Sequence, residues 1–131
     1  MGLFDFFRKK DGFIKIDVKE LVVWDEPNGE GCLVSDRITK DGFKVGYMYR
    51  ELPDDGKPDS GWRFLAGDET EGYIDDPNNT HIFAINTVCN YDPDIIPFIK
   101  SEVGSAYIRT AGGTFEPDDG TKPICTAKQT R

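Results

Sequence analysis

No apolar run in this sequence goes far before a glycine, a proline or an Asx-Gly pair cuts it. Fourteen glycines and eight prolines are spread through 131 residues, and Pro27-Asn28-Gly29, Asp41-Gly42, Asp55-Gly56, Ser60-Gly61 and Gly112-Gly113 all fall beside or between apolar stretches. Such punctuation excludes long helices and favours short strands joined by turns. The length suits one domain, which buries roughly two-thirds of its unfolded surface. Aromatic residues make up 12% of the chain, and a few large rings fill a core of that size.

The segments between the turns carry readable periods. Residues 13–18 set Ile14, Ile16 and Val18 against Lys15 and Asp17, the pattern of a half-buried strand. Residues 21–24 are a compact apolar run that continues it or forms a separate element, and residues 32–35 read as a short strand. Residues 43–50 alternate, with Phe43, Val45, Tyr47 and Tyr49 on one face. Together with residues 32–35 they predict an antiparallel pair. Residues 53–61 read as the clearest loop. In the next strand Trp62, Phe64 and Ala66 share a face and Arg63 takes the other.

Acids at 68–71 suit the start of a short helix, stopped by 75–79. Residues 82–88 read as a strand. Asp92 and Pro93 predict a helix start with a capping side chain and a first-turn proline, and Pro97 keeps that helix short. Residues 104–109 read as a last long strand, before a glycine turn into 114–116. The expected fold is α+β, a mainly antiparallel sheet of about five to seven strands with two or three short helices. An amphipathic segment is expected over 1–12, a single domain over 13–116, and a flexible tail over 117–131.

Charge is more informative by position than in total. The formal net charge is −8. Residues 51–100 hold eleven acids and three bases, whereas the flanking thirds each balance. Such a surface repels phosphate, so nucleic acid is not an expected partner. It attracts basic proteins and speeds their encounter, or it serves as a solvated face that keeps the chain soluble. Nothing approaches the roughly 20 apolar residues of a membrane span. The start, Leu3-Phe4-Asp5-Phe6-Phe7 followed by Arg8-Lys9-Lys10, reverses the order of a secretory signal. It reads as a short helix docked on the domain, with a weak membrane or partner contact as the alternative. The three cysteines, Cys32, Cys89 and Cys125, are widely spaced and accompany a single histidine, His81. Reduced thiols in the cytoplasm are the simplest reading, with no disulfide framework, no metal site and no cofactor.

Candidate chemistry is sparse. Asp54, Asp55 and Asp59 lack the spacing and terminal glutamate of a calcium loop. Asp68, Glu69, Glu71, Asp75 and Asp76 stand among Gly, Asn and Pro, which reads as an exposed group, not a buried acid–base pair. A Cys89–His81 dyad is conceivable, but no nucleophile turn frames either residue. Arg63 faces a partner across the strand or pairs with a nearby acid. A binding protein is therefore expected in preference to an enzyme. The alternatives are a small ligand-binding domain or enzyme using Asp68, Glu69, His81 or Asn90, and a housekeeping interaction module.

Three stretches add a resemblance. They are Gly31-Cys32-Leu33-Val34-Ser35-Asp36-Arg37-Ile38-Thr39 with Val45-Gly46-Tyr47-Met48-Tyr49-Arg50; then Ser60-Gly61-Trp62-Arg63-Phe64-Leu65-Ala66-Gly67-Asp68-Glu69 with Asp75-Asp76-Pro77-Asn78-Asn79; and Asn86-Thr87-Val88-Cys89-Asn90-Tyr91-Asp92-Pro93-Asp94-Ile95-Ile96-Pro97 with Gly104-Ser105-Ala106. Over residues 30–116 or so, this resembles the bacterial immunity protein 33 family, predicted immunity proteins of polymorphic toxin systems. The resemblance implies a cytoplasmic inhibitor that neutralises a cognate toxin domain by steric and electrostatic blockade. From the charge, that toxin is expected to be basic, for example a nuclease. The candidate contact residues are Asp54, Asp55, Asp59, Arg63, Asp68, Glu69, Glu71, Tyr73, Asp75 and Asp76, on a monomer or weak homodimer.

Overall fold

A computed structural model describes residues 12–118. The amphipathic segment expected before Gly12 and the tail beyond Asp118 lie outside the described residues. Six strands, β1 (Gly31–Ser35), β2 (Tyr47–Arg50), β3 (Asp59–Leu65), β4 (Thr80–Ala84), β5 (Ala106–Arg109) and β6 (Phe115–Pro117), form one sheet in the order β4-β1-β3-β2-β5-β6. Three short helices accompany them, α1 (Asp36–Thr39), α2 (Glu71–Asp75) and α3 (Ile85–Tyr91), with 3-10 helices at Pro77–Asn79 and Pro93–Phe98. The α+β class is as expected. Every ladder is antiparallel except β1 with β3, which run parallel.

That parallel pair corrects the expected hairpin. The chain leaves β1 through α1 and crosses to β2, and β3 then returns between them. The strand at 32–35 therefore never touches the strand at 47–50. β3 takes the centre and is the most completely buried of the strands, every residue after Asp59 being buried. Trp62 and Phe64 are fully buried with their rings stacked 5.8 Å apart, and the Trp62 indole N–H donates to the Ile99 carbonyl at 2.8 Å. Around them pack Val34, Met48, Ile85, Val88, Ile95 and Ile99. The single face read for Phe43, Val45, Tyr47 and Tyr49 breaks at Gly46. There the chain passes so close to β3 that a Cβ would fall 2.0 Å from the Ala66 carbonyl oxygen. Val45 joins the main core, Tyr47 packs on the opposite face, and Phe43 lies outside under the Arg37 guanidinium.

Residues 82–88 are not one strand. β4 ends at Ala84 and α3 begins at Ile85. An apolar run this short fits either period. The helical one wins because Ile85, Val88 and Cys89, at i, i+3 and i+4, reach the core together. It also places Asn86 and Asn90 one turn apart on a second face, and these two amides do the work of a β-ladder. Asn86 accepts from the Leu21 and Val22 amides at 2.6 and 3.0 Å and donates to the Val22 carbonyl. Asn90 accepts from the Lys19 amide at 3.2 Å and donates to the Lys19 carbonyl at 2.8 Å. So the segment read as a strand at 13–18, with its continuation, is an extended strap over the helices. It pairs with no described strand. Asn86→Ala is expected to release this strap, costing about 1–2 kcal/mol locally. Amide exchange at Leu21 and Val22 checks it, with about a tenfold acceleration expected and the core strands unchanged.

The other helix expectations fare better. Thr70 caps α2 by accepting from the Tyr73 amide, and Asp92 caps the 3-10 helix Pro93–Phe98. The body extends past the expected start of the tail. Pro117 ends β6, and Asp118 accepts from the Tyr47 hydroxyl at 2.9 Å.

Candidate functional site

Alternation sorts the sheet into two faces. Cys32, Val34, Met48, Trp62 and Phe64 point to the face covered by α3, the 3-10 helix Pro93–Phe98 and the strap. Leu33, Tyr47, Tyr49, Arg63, Leu65, Ala106 and Ile108 alternate with them and point to the second face. Among the described residues, α2 lies against that face through Ile74, which packs on Tyr47 and Leu65, and Asp118 reaches it at the Tyr47 hydroxyl. Beside Ile74 a cavity of about 310 Å³ opens, lined by Leu33, Tyr49, Glu51, Arg63, Ile74 and Thr80 among others.

Arg63 sits in the wall of this cavity and is 7% exposed. Its Nη1 and Nη2 donate to the two carboxylate oxygens of Asp59 at 2.9 and 3.0 Å, and its Nε donates to Glu51 at 2.6 Å. The pairing with a local acid is therefore the reading the geometry supports. Arg63 does not hold its charge out to a partner. Asp59 also accepts from the amides of Asp54 and Gly61 at 2.8 and 3.0 Å. Burial would raise the Asp59 carboxyl, but Arg63 and the two amides outweigh it and hold the group at about 2, below its ordinary 3.8.

A carboxyl lowered on folding adds stability above its ordinary value, and that stability is lost as pH falls through the folded value. Asp59→Asn is therefore expected to flatten the dependence of stability on pH between about 4 and 2. Urea midpoints measured across that interval check it. An unchanged slope would mean that Asp59 is not held by Arg63.

The remaining candidates fall into separate groups. Asp54 and Asp55 are exposed in the loop before β3, with Lys57 3.7 Å from Asp54. Glu71, Asp75 and Asp76 are exposed along α2 and its end. Asp75 and Asp76 stand between two cavity-lining residues, Ile74 and Pro77. Tyr73 turns inward: burial and the nearby Asp36 raise its phenol above the ordinary value, against a hydrogen bond with Ser35. Asp68 and Glu69 lie beyond the other end of β3. Asp68 is bound by Arg37 through Nη2 at 2.5 Å and Nε at 3.2 Å. Glu69 closes its own turn by accepting from the Ala66 and Gly67 amides at 2.8 and 2.9 Å. The acids thus do not form one continuous patch. Glu51 lines the cavity while bonded to Arg63, Glu71, Asp75 and Asp76 are exposed along α2 and its end, Asp54 and Asp55 are exposed before β3, and Asp59, Asp68 and Glu69 make internal bonds.

Glu51 was missed as a candidate, as were Leu33 and Tyr49. Glu51 follows Tyr47 and Tyr49 at period two, so extending that alternation by one step finds it. Ile82 stands beside Leu33 across the β1–β4 ladder and is 75% exposed.

The four residues of the enzyme alternative do not converge. His81 Nδ1 lies 2.7 Å from Asp36 Oδ1, with its ring against Phe13. Asp68 serves Arg37, Glu69 its turn, and Asn90 the strap. Cys89 is fully buried, and burial, with Glu30 and Asp92 nearby, pushes its thiol up to about 11. A thiol in that state is a poor nucleophile at neutral pH. Among the described residues no group of three or more His, Cys, Asp or Glu side chains is placed to hold a metal ion. No helix among them is long and apolar enough to cross a membrane.

Against known families, a model described as the Immunity protein Imm33 domain matches residues 32–119. The matched span runs from the second residue of β1 to just past β6, taking in the cavity and all the acids around it. No curated protein and no solved structure matches the chain.

Proposed function

The chain belongs to the Imm33 family of immunity protein domains, and from that premise we propose that it neutralises a cognate toxin protein by occupying it through the second face of the sheet. The observation that carries this reading is the cavity between α2 and β3. It has an apolar and aromatic wall in Leu33, Tyr49 and Ile74 and one lining carboxylate, Glu51, and the exposed Asp75 and Asp76 stand in the chain between its lining residues Ile74 and Pro77. Interfaces gain most from a desolvated centre of this kind inside a polar rim. The chemistry fits a protein segment that inserts an apolar side chain and sets Lys or Arg around it. Arg63, clamped by Asp59 and Glu51, keeps the cavity wall rigid, which limits the ordering cost of binding. The contact residues proposed are Glu51, Glu71, Asp75 and Asp76, with Asp54 and Asp55 steering from the end of β3. The inhibitor acts by steric and electrostatic blockade, in the cytoplasm of the cell that makes it, and performs no reaction of its own.

The test is direct binding to the toxin domain encoded beside this protein, together with growth rescue when both are expressed. Glu71→Lys with Asp75→Lys is expected to slow association about tenfold at low salt, with the difference shrinking as salt rises. Asp68→Lys, at the far end of β3, is expected to leave binding within about twofold, since rim charges away from a contact matter little. If the wild-type protein neither binds the toxin nor rescues growth, or if the α2 reversal is silent while Asp68→Lys abolishes binding, the proposed face is wrong.

A further inference from the structure

The sheet ends in two unlike edges. β6 has three residues, Phe115-Glu116-Pro117, so it is short, charged and closed by a residue without an N–H. Those are the usual protections of an edge. β4, at the other end, has none of them. Its sequence is Thr80-His81-Ile82-Phe83-Ala84, and no described strand pairs with its outer side.

The register tells which groups face outward. In an antiparallel pair, residues that exchange hydrogen bonds alternate with residues that do not. The Ile85 amide donates to the Glu30 carbonyl at 3.0 Å, which makes that pair a bonded one and, two residues on, Cys32 with Phe83 and Val34 with His81. Gly31, opposite Ala84, instead turns its amide toward the β3 side, to the Pro58 carbonyl at 2.8 Å. Both observations give the same phase. The N–H and C=O groups of Thr80, Ile82 and Ala84 point away from the sheet.

These outward residues are symmetric about Ile82, the middle of the five-residue strand. We propose that a second copy of this chain docks on that edge, its β4 antiparallel to the first, with Ile82 opposite Ile82 and Thr80 opposite Ala84. All the outward backbone groups of both strands are then used, since each facing pair exchanges two hydrogen bonds. The two Ile82 side chains, so exposed in the single copy, meet across the two-fold axis with their Cα atoms about 5.5 Å apart.

Charge selects this occupant over a basic partner. From Pro77 to Tyr91 the chain has no Asp, Glu, Lys or Arg, within a protein of net charge −8 that is 31% charged. Two like-charged copies meet with least repulsion along such a neutral strip, and a basic protein finds nothing there to pair with. Burying one edge on each side is less than the standard interface of roughly 1,200–2,000 Å², so the dimer is a weak one. Added salt strengthens it by screening the repulsion between copies. The pairing is read on the protein alone, so it holds or fails apart from toxin binding.

Sedimentation equilibrium on the full chain over a wide concentration range tests the pairing, together with amide exchange at low and high concentration. A dimer that tightens with salt is expected, with the Ile82 amide protected only at high concentration. Ile82→Lys, which sets two lysines side by side, is expected to weaken it at least tenfold. A monomer at every concentration overturns the proposal. So does a dimer indifferent to Ile82→Lys, which would use another surface. Protection of the Ile82 amide at all concentrations overturns it as well, because the edge would then be covered within one chain.

Discussion

Arg109→Met is expected to lower the stability of this protein by about 3–5 kcal/mol, the usual cost of removing one partner from a buried ion pair. Arg109 lies on β5 and makes four hydrogen bonds. Its Nη2 donates to Asp92 at 2.8 Å, its Nη1 to Asp94 at 3.0 Å and to the Gly113 carbonyl at 2.9 Å, and its Nε to the Val45 carbonyl at 2.8 Å. Asp92 is 0% exposed. Without the guanidinium its nearest cation is Lys44, 4.0 Å away on a largely exposed side chain. The carboxylate keeps only the Val45 and Asp94 amides at 2.9 and 3.1 Å. Thermal unfolding should fall by on the order of 15 °C for a domain of this size. Asp92→Asn in the Arg109→Met background should recover part of the loss, since it removes the stranded charge and leaves the two amides an oxygen to bind. A single Arg109→Met change worth less than about 1 kcal/mol would mean that the site admits water and the pair is a surface one.

The same device recurs at Arg50 and Arg63, and it explains how so short a set of elements holds together. Arg50 donates to the carbonyls of Ser60 and Ser101 at 2.9 and 2.7 Å and to Glu26 at 2.5 Å, beneath the Trp24 ring. Each arginine reaches from a strand to a carboxylate and to at least one group outside that strand. A guanidinium suits that task because its five donors form a rigid planar fork. Composition alone does not separate these arginines from surface ones. Arg50 and Arg109 stand in strands whose neighbours read as ordinary alternation, and their distant partners, Glu26 and Ser101 for Arg50 and Val45 and Asp92 for Arg109, become adjacent only once the chain is folded.

What the sequence makes legible follows from how local the deciding interactions are. The caps at Thr70 and Asp92 involve residues two or three apart, and the turn glycines act on their own dihedrals. Those features are readable before the fold is known, as is the α+β class. The pairing of β1 with β3 depends on contacts between distant parts of the chain, and no local period encodes it. Residues 82–88 fit a strand as well as a helix until the core positions of Ile85, Val88 and Cys89 are known. The acids of residues 51–76 are visible as a group. How they are held is not: Arg37 binds Asp68, Arg63 binds Asp59 and Glu51, and the Ala66 and Gly67 amides bind Glu69 only once the chain is folded.

Asp-Ser-Gly at 59–61 is the clearest such case, and it yields the other large expected effect. The triplet reads as loop, yet β3 begins at Asp59. Against β1, Gly31 pairs with Asp59 but Leu33 with Arg63, so β3 carries extra residues in a bulge. Gly61 lies in that bulge with φ +91°, and its amide donates to Asp59 while its carbonyl accepts from Glu51 at 2.9 Å. A Cβ there would fall 2.1 Å from the Glu51 carbonyl oxygen, which is backbone and has no rotamer to yield. Gly61→Ala is therefore expected to cost about 3 kcal/mol or more, by adding a contact clash to the penalty of a positive φ. Gly56→Ala is the control. Its φ is +76°, and nothing lies within 4 Å of the added carbon. It should cost only about 1 kcal/mol. The difference between the two, read from urea midpoints, isolates the close approach of β3 to Glu51. That approach is also what brings the Glu51 carboxylate to Arg63, so Gly61→Ala should weaken toxin binding where Gly56→Ala does not. Equal costs for the two substitutions would show that the bulge has room to spare, and that Glu51 is placed by something other than Gly61.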